Sequence, residues 1–325
     1  PWTIRGETGP PGDLEAYDLH QPTEGDTDLA RLRAGGVGGQ FWSIYVPASL
    51  PEGAARVQLE QIDLTRRMIA RYPEDLAFAT TAAEVEAAMK EGRIASLLGI
   101  EGGHVIENSL GALRAFHALG VRYMTLTHSD TLPWADSATD VPRHGGLTHF
   151  GREVVRTMNR LGMLVDVSHV SADTMRDALD VSTAPVIASH SNAASLAPHP
   201  RNVPDDVLTE IGRRDGVVMA VFFPGFVIAE TAAAMVEMFE TWRRVRAELA
   251  GDEAAIAAVM DRIEGDLDLA VGGVSDVVDH IEYIAEVAGV DAVGIGSDFD
   301  GLTVTPEGVE DVSCAPASPE ELRRR

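Results

Sequence analysis

Five short apolar runs, each closed by a side chain able to bind a metal or move a proton, restrict this 325-residue chain more than any other feature. They are residues 94–101 (IASLLGIE), 123–128 (YMTLTH), 163–169 (MLVDVSH), 185–190 (PVIASH) and 292–298 (AVGIGSD). Most follow a stretch of helical period, so the chain reads as helix, strand, loop, repeated. Parallel strands alternating with helices close into a (β/α)8 barrel, whose strands all point their C-terminal ends at one face, where the active site lies. Glu101, His128, His169, His190 and Asp298 then converge on that face. Such a donor set suits a metal-dependent hydrolase.

The same alternation runs through most of the chain. Helical patterns are expected over residues 26–34, 54–71, 82–91, 110–119, 151–161, 171–179, 205–214 and 275–288, with further strands over 35–46 and 216–223. That makes seven strands rather than eight. A mostly helical insertion over residues 227–273 reads either as an elaborated barrel helix or as a lid or dimer surface. No linker divides the chain, so residues 1–325 are expected to form one α/β domain, a (β/α)8 TIM-type barrel. Ser318 reads as the cap of a closing helix cut short at Arg325, and Pro1-Trp2 opens with no strand before it, so a truncated chain is expected.

Composition narrows the function. At 45% hydrophobic and 24% charged residues the chain is that of a soluble globular protein. A net charge of −25 repels phosphate backbones and argues against nucleic acid as a partner. No apolar run approaches the roughly 20 residues of a membrane span, and no charged-then-apolar leader opens the chain. The single cysteine, Cys314, excludes an internal disulfide and argues against a thiolate metal site. These features predict a cytoplasmic protein without membrane partners.

Several longer stretches carry a specific likeness: TDLARLRAGGVGGQFWSIYVP (27–47), LLGIEGGH (97–104), LTHSDTLPWADS (126–137), LTHFGREVVRTMNRLGMLVDVSHVS (147–171), ASHSNA (188–193), HPRNVPDD (199–206) and GIGSDFDG (294–301). In this order they resemble the membrane (renal-type) dipeptidases and their bacterial relatives, a branch of the amidohydrolase-like metal-dependent barrels. The resemblance implies a dipeptidase with two zinc ions. Glu101 would bridge them, and His169 and His190 would hold one. Asp298 would handle the proton of the bridging water, and His128 would polarise the scissile carbonyl. Arg201 would pair with the substrate carboxylate, with Tyr45 close by. It also implies a homodimer and tolerance of D-residues.

One departure stands out. The family's first strand ends in His-x-Asp, which binds the second metal, whereas here His20 is followed by Gln21-Pro22. Two other readings therefore stay open: an amidase or lactonase on the same barrel, and a binding protein that has lost half its metals. Arg201 favours a substrate with a free carboxylate, because its fork matches that group.

Each residue also has a plainer reading. A lone histidine is more often structural than ligating, but His169 and His190 at strand ends together with Glu101 reverse that expectation. Asp300 competes with Asp298 within SDFDG, and Tyr45 could be a core aromatic. His104 either orients Glu101 or serves the fold. His20, His117, His144, His149, His199, His280 and Cys314 are given no role.

Overall fold

A parallel sheet with three strands meeting on one central strand organises the molecule. The computed structural model describes residues 14–15, 17–50, 52–249, 252, 255, 258–259 and 269–325. After helix α1 (Leu29–Ala34) comes strand β1 (Gly39–Ser43), then helix α2 (Ala54–Arg71), strand β2 (Leu76–Phe78), helix α3 (Ala82–Lys90) and strand β3 (Ile94–Glu101). β1 pairs with β3 along residues 95–99 and so takes one of its edges. β2 and β4 (Val121–Thr125) divide the other, β2 along residues 94–96 and β4 along 98–101. The sheet continues through β5 (Leu164–Asp166), β6 (Val186–Ala188), β7 (Val217–Ala220) and β8 (Val293–Ile295), every neighbour parallel.

The path from β1 to β8 therefore has the seven expected strands, curled in the manner of a (β/α)8 TIM-type barrel. β2, an eighth strand, was not expected from the sequence. It is three residues long and carries no period that could announce it. Among the described residues no strand joins β8 to β1, and Ile295 at that edge is 47% exposed.

Helices α4 (Leu110–Ala118), α5 (His149–Leu161), α6 (Ala172–Val181), α7 (Asp205–Arg213) and α10 (Val274–Ala288) alternate with the later strands. α5 starts where Thr148 accepts a hydrogen bond from the Gly151 amide and stops at Gly162, whose φ of 73° terminates the helix. Ser171 caps α6 in the same way, as expected. Val154, Val155 and Met158 of α5 are fully buried beside Val121, Met124 and Val165 of the strands. Each such side chain contributes roughly 1.5–3 kcal/mol by leaving water. β3 is covered on both faces, which explains why its sequence is a continuous apolar run without alternation.

Part of the expected insertion is helical: α8 (Pro224–Val227) and α9 (Ala229–Glu248) precede α10. Residues 250, 251, 253, 254, 256, 257 and 260–268 of that stretch lie outside the described residues, as do residues 1–13. The last helix, α11 (Ala317–Arg324), packs on α10, but Ser318 is not its cap. Pro316 takes the cap position, and the Ser318 hydroxyl is buried without a partner.

Under the C-terminal ends of the strands, the chain needs glycine at residue 99. A Cβ there would sit 2.0 Å from Cε1 of Tyr123 on the neighbouring strand, so the tyrosine ring occupies the space of a side chain. Gly99→Ala should push that ring aside and cost about 1–3 kcal/mol, the usual range for overpacking. Urea unfolding checks this: the midpoint should fall with an unchanged slope.

Candidate metal centre

The apolar runs end in donors because their last residues leave the sheet. Glu101 is the final residue of β3, but β4, β5, β6 and β8 stop at Thr125, Asp166, Ala188 and Ile295. His128, His169, His190 and Asp298 thus stand on the loops two or three residues beyond, rather than on the strands themselves. Two of these loops are held in an unusual shape: His169 has φ 65° and Asp298 φ 66°. Left-handed backbone costs a non-glycine residue roughly 1–2 kcal/mol. It persists where the surroundings over-determine it, which occurs disproportionately at functional positions.

The loops bring three expected histidines around one oxygen of Glu101. Glu101 Oε1 lies 3.1 Å from His169 Nε2, 3.4 Å from His190 Nε2 and 3.7 Å from His128 Nε2. The two Nε2 atoms of His169 and His190 are 2.7 Å apart. Glu101 Oε2 accepts a 2.8 Å hydrogen bond from Ser43 Oγ of β1. Two groups of three donors form, Glu101 with His128 and His169, and Glu101 with His190 and Asp298, each with ligand atoms within 4.8 Å of one another. Glu101 belongs to both. Ions with bonds of about 2.0–2.2 Å to nitrogen and oxygen sit between atoms about 3 Å apart, so the donor set fits such a metal.

Electrostatics favours the ligating forms. Burial holds the pKa values of His169 and His190 well below the ordinary histidine value, helped by neighbouring positive charge. Burial also lowers His128, against the pull of Glu101. Neutral imidazole is the form that binds metal. Burial alone would raise Glu101, but His190, His128, the Ser43 hydroxyl and Arg201 together hold it below the usual carboxylate range. Asp298 moves the other way: desolvation and the Glu101 charge push it well above the ordinary value, with Arg201 opposing.

Arg201, expected to face the substrate, is 2% exposed. Its guanidinium donates to neutral acceptors, Ser191 Oγ at 3.4 Å and the His190 carbonyl at 3.3 Å, and stacks 5.1 Å from the Phe226 ring of α8. Asp298, Glu101 and Asp166 act on it only through space, while burial lowers its pKa to about 10. Such a buried cation, without a contacting carboxylate among the described residues, is suited to receiving an anion. Tyr45 lies against His128 with ring centroids 4.8 Å apart, and burial pushes its hydroxyl up to about 12. His128 itself stacks on His169 at 4.2 Å.

His104 does not reach Glu101. Its Nε2 bonds the Val46 carbonyl at 2.9 Å, and burial lowers it to about 4. His280 and His199 are buried as structural groups. His280 contacts the Val227 carbonyl and the Ala193 amide, and His199 accepts from the Arg201 amide. Reading the sequence passed over Asp166, Ser189 and Ser43. Asp166 is fully buried; desolvation raises its pKa, and hydrogen bonds from Ser189, Thr125 and Ser168 pull against it. A charged residue inside the apolar run MLVDVSH was the available signal.

A family model described as membrane dipeptidase (peptidase family M19) matches residues 1–325. The chain is similar to the probable dipeptidase PvdM from Pseudomonas aeruginosa, at 24% identity and TM-score 0.82, with 99% of this chain and 87% of that one covered. It is similar to dipeptidase AC, a metallopeptidase of family M19, at 28% identity and TM-score 0.75, covering 92% and 82%. A metallopeptidase from Rhodobacter sphaeroides, liganded with a phosphinate mimic of the dipeptide L-Ala-D-Ala, matches at 25% identity and TM-score 0.78, covering 99% and 89%.

Buried neutral imidazoles give the metal-free protein a pH signature. His104 is lowered to about 4 and His199 to about 3, both by burial, and His128, His169, His190 and His280 are lowered too. Below the unfolded value of about 6.5, the unfolded chain binds protons that the native chain does not. Their contribution is fully present above that pH and declines as pH falls toward 4. Asp166 and Asp298, with raised values, act in the opposite sense but are outnumbered. The urea midpoint of metal-free protein should therefore drop between pH 7.5 and pH 5. A midpoint that holds or rises would contradict neutral burial.

Proposed function

The chain belongs to the membrane dipeptidase family and is a metallo-dipeptidase; from that premise we propose that it uses zinc to hydrolyse dipeptides with a free C-terminal carboxylate. The observation that carries this reading is Arg201, a buried guanidinium beside the donor cluster that, among the described residues, contacts only neutral groups. Glu101, His169 and His190 would hold the metal. When bound, a divalent metal supplies a polarised carbonyl and a nucleophilic water at neutral pH.

The remaining work falls to the chain. Asp298, raised toward a form that can carry a proton, takes one from the attacking water and returns it to the leaving amine as the C–N bond breaks. His128 donates to the carbonyl oxygen as it gains negative charge, steadied by Ser129 Oγ 3.0 Å from its Nδ1. Arg201 pairs with the C-terminal carboxylate, and Tyr45 flanks it beside His128. Water adds across the peptide bond and two amino acids leave. The Rhodobacter sphaeroides relative makes L-Ala-D-Ala a reasonable first substrate to assay.

We also propose the cytoplasm as the location and a homodimer as the assembly. Among the described residues no helix is long and apolar enough to cross a membrane.

Two variants test the roles. Asp298→Asn should keep its metal yet lose at least about 10²-fold in kcat, because an amide cannot accept the proton. Near-normal turnover with metal bound would remove Asp298 from its role. Arg201→Met should lower kcat/KM about 10–100-fold for a dipeptide, the worth of a charge-assisted contact, and little for its C-terminal amide. Equal losses on both would mean that Arg201 serves the fold.

A further inference from the structure

Beneath the donors lies a buried carboxylate that the mechanism above does not use. Asp166 ends β5 and accepts four hydrogen bonds. Oδ1 takes the backbone amides of Ser168 at 3.0 Å and Ser189 at 2.9 Å. Oδ2 takes the hydroxyls of Thr125 at 2.5 Å and Ser189 at 2.6 Å. Ser168 leads directly into His169, and Ser189 into His190. The two loops are further joined where the His190 amide donates to Ser168 Oγ at 3.0 Å.

The Ser189 hydroxyl has one proton, and Asp166 takes it. Its oxygen is also 2.8 Å from His190 Nδ1. With its proton committed, that oxygen can only accept from the ring, so Nδ1 carries the hydrogen and Nε2 is left with a free lone pair. Nε2 is the atom that faces Glu101 Oε1 and His169. A ligating histidine commonly has its tautomer set by the bond at its other nitrogen.

We propose that Asp166 is a positioning residue for the metal centre, acting through Ser189 to hold His190 as the Nδ1-protonated tautomer while tying together the loops of His169 and His190. This rests on the reading of His190 as a ligand. The geometry also says what an isosteric change would do. In Asp166→Asn the two backbone amides can only donate, so the amide oxygen must take the Oδ1 position. The NH2 group then faces Ser189 and Thr125. Ser189, now an acceptor from residue 166 and also hydrogen-bonded to the Tyr123 hydroxyl, is released to turn its proton onto His190 Nδ1, which moves the ring hydrogen to Nε2.

The test uses the whole chain labelled with 15N-histidine, with His190 assigned by the resonances lost in His190→Gln. Metal-free wild type should show a protonated Nδ1 and an unprotonated Nε2 on His190. Asp166→Asn should reverse the pattern and weaken zinc binding, measured by chelator competition, about 10–100-fold. Ser189→Ala should lose the tautomer preference, and Ser189→Thr, which keeps the hydroxyl, should restore it. Melting temperatures of the metal-free variants separate this from a structural role, which would lower stability and leave the tautomer unchanged. If Asp166→Asn does not fold, the Ser189 pair decides alone. Unchanged tautomer and affinity within twofold in Asp166→Asn and Ser189→Ala would overturn the proposal. A wild type that takes up no zinc would overturn the metal reading instead, while the tautomer would still judge Asp166.

Discussion

A buried carboxylate at the end of the most enclosed strand governs the rest of this structure. Glu101 closes β3, which has β1 on one edge and β2 and β4 sharing the other. A charge held there is costly unless it is compensated. Part of the compensation is the Ser43 hydroxyl on one oxygen, while three imidazole nitrogens stand within 3.7 Å of the other. A cation bound among those donors would complete it. The barrel thus serves less as a container than as a rigid frame, in which parallel strands deliver loops to a common height.

Rigidity beneath the loops permits strain within them. His169 and Asp298 adopt left-handed backbone that isolated residues avoid. For the His169 loop the restraint is visible: Asp166 binds the amide of Ser168 just before it and the amide and hydroxyl of Ser189 on the adjoining loop. Burial then keeps the imidazoles neutral and Asp298 inclined to carry a proton. An exposed aspartate would be ionised at neutral pH, and an exposed histidine, with a pKa of about 6.5, would take up protons soon below it and ligate less readily. The same desolvation lowers the pKa of Arg201 to about 10.

The barrel class and the converging donors were legible in the sequence because both follow from pattern. Strands buried on two faces must be continuous apolar runs, and a polar donor at the end of each run breaks that pattern visibly. Strand ends were overrun because the turn that aims His128, His169, His190 or Asp298 is still written in apolar and small residues. β2 escaped notice since three residues carry no period. Asp166 was hidden inside a run read as core, its role set by hydroxyls that come together only in three dimensions. The burial of Arg201 depends on Phe226 of α8, 25 residues further along the chain, and no local motif encodes that contact.

Anomalous X-ray diffraction at the zinc edge, on crystals of the zinc-loaded protein, tests the central claim most directly. A peak bonded at about 2.0–2.2 Å to a Glu101 carboxylate oxygen and to Nε2 of both His169 and His190 is the predicted result. A map in which these three side chains contact no peak, while zinc sits elsewhere on the molecule, would contradict it.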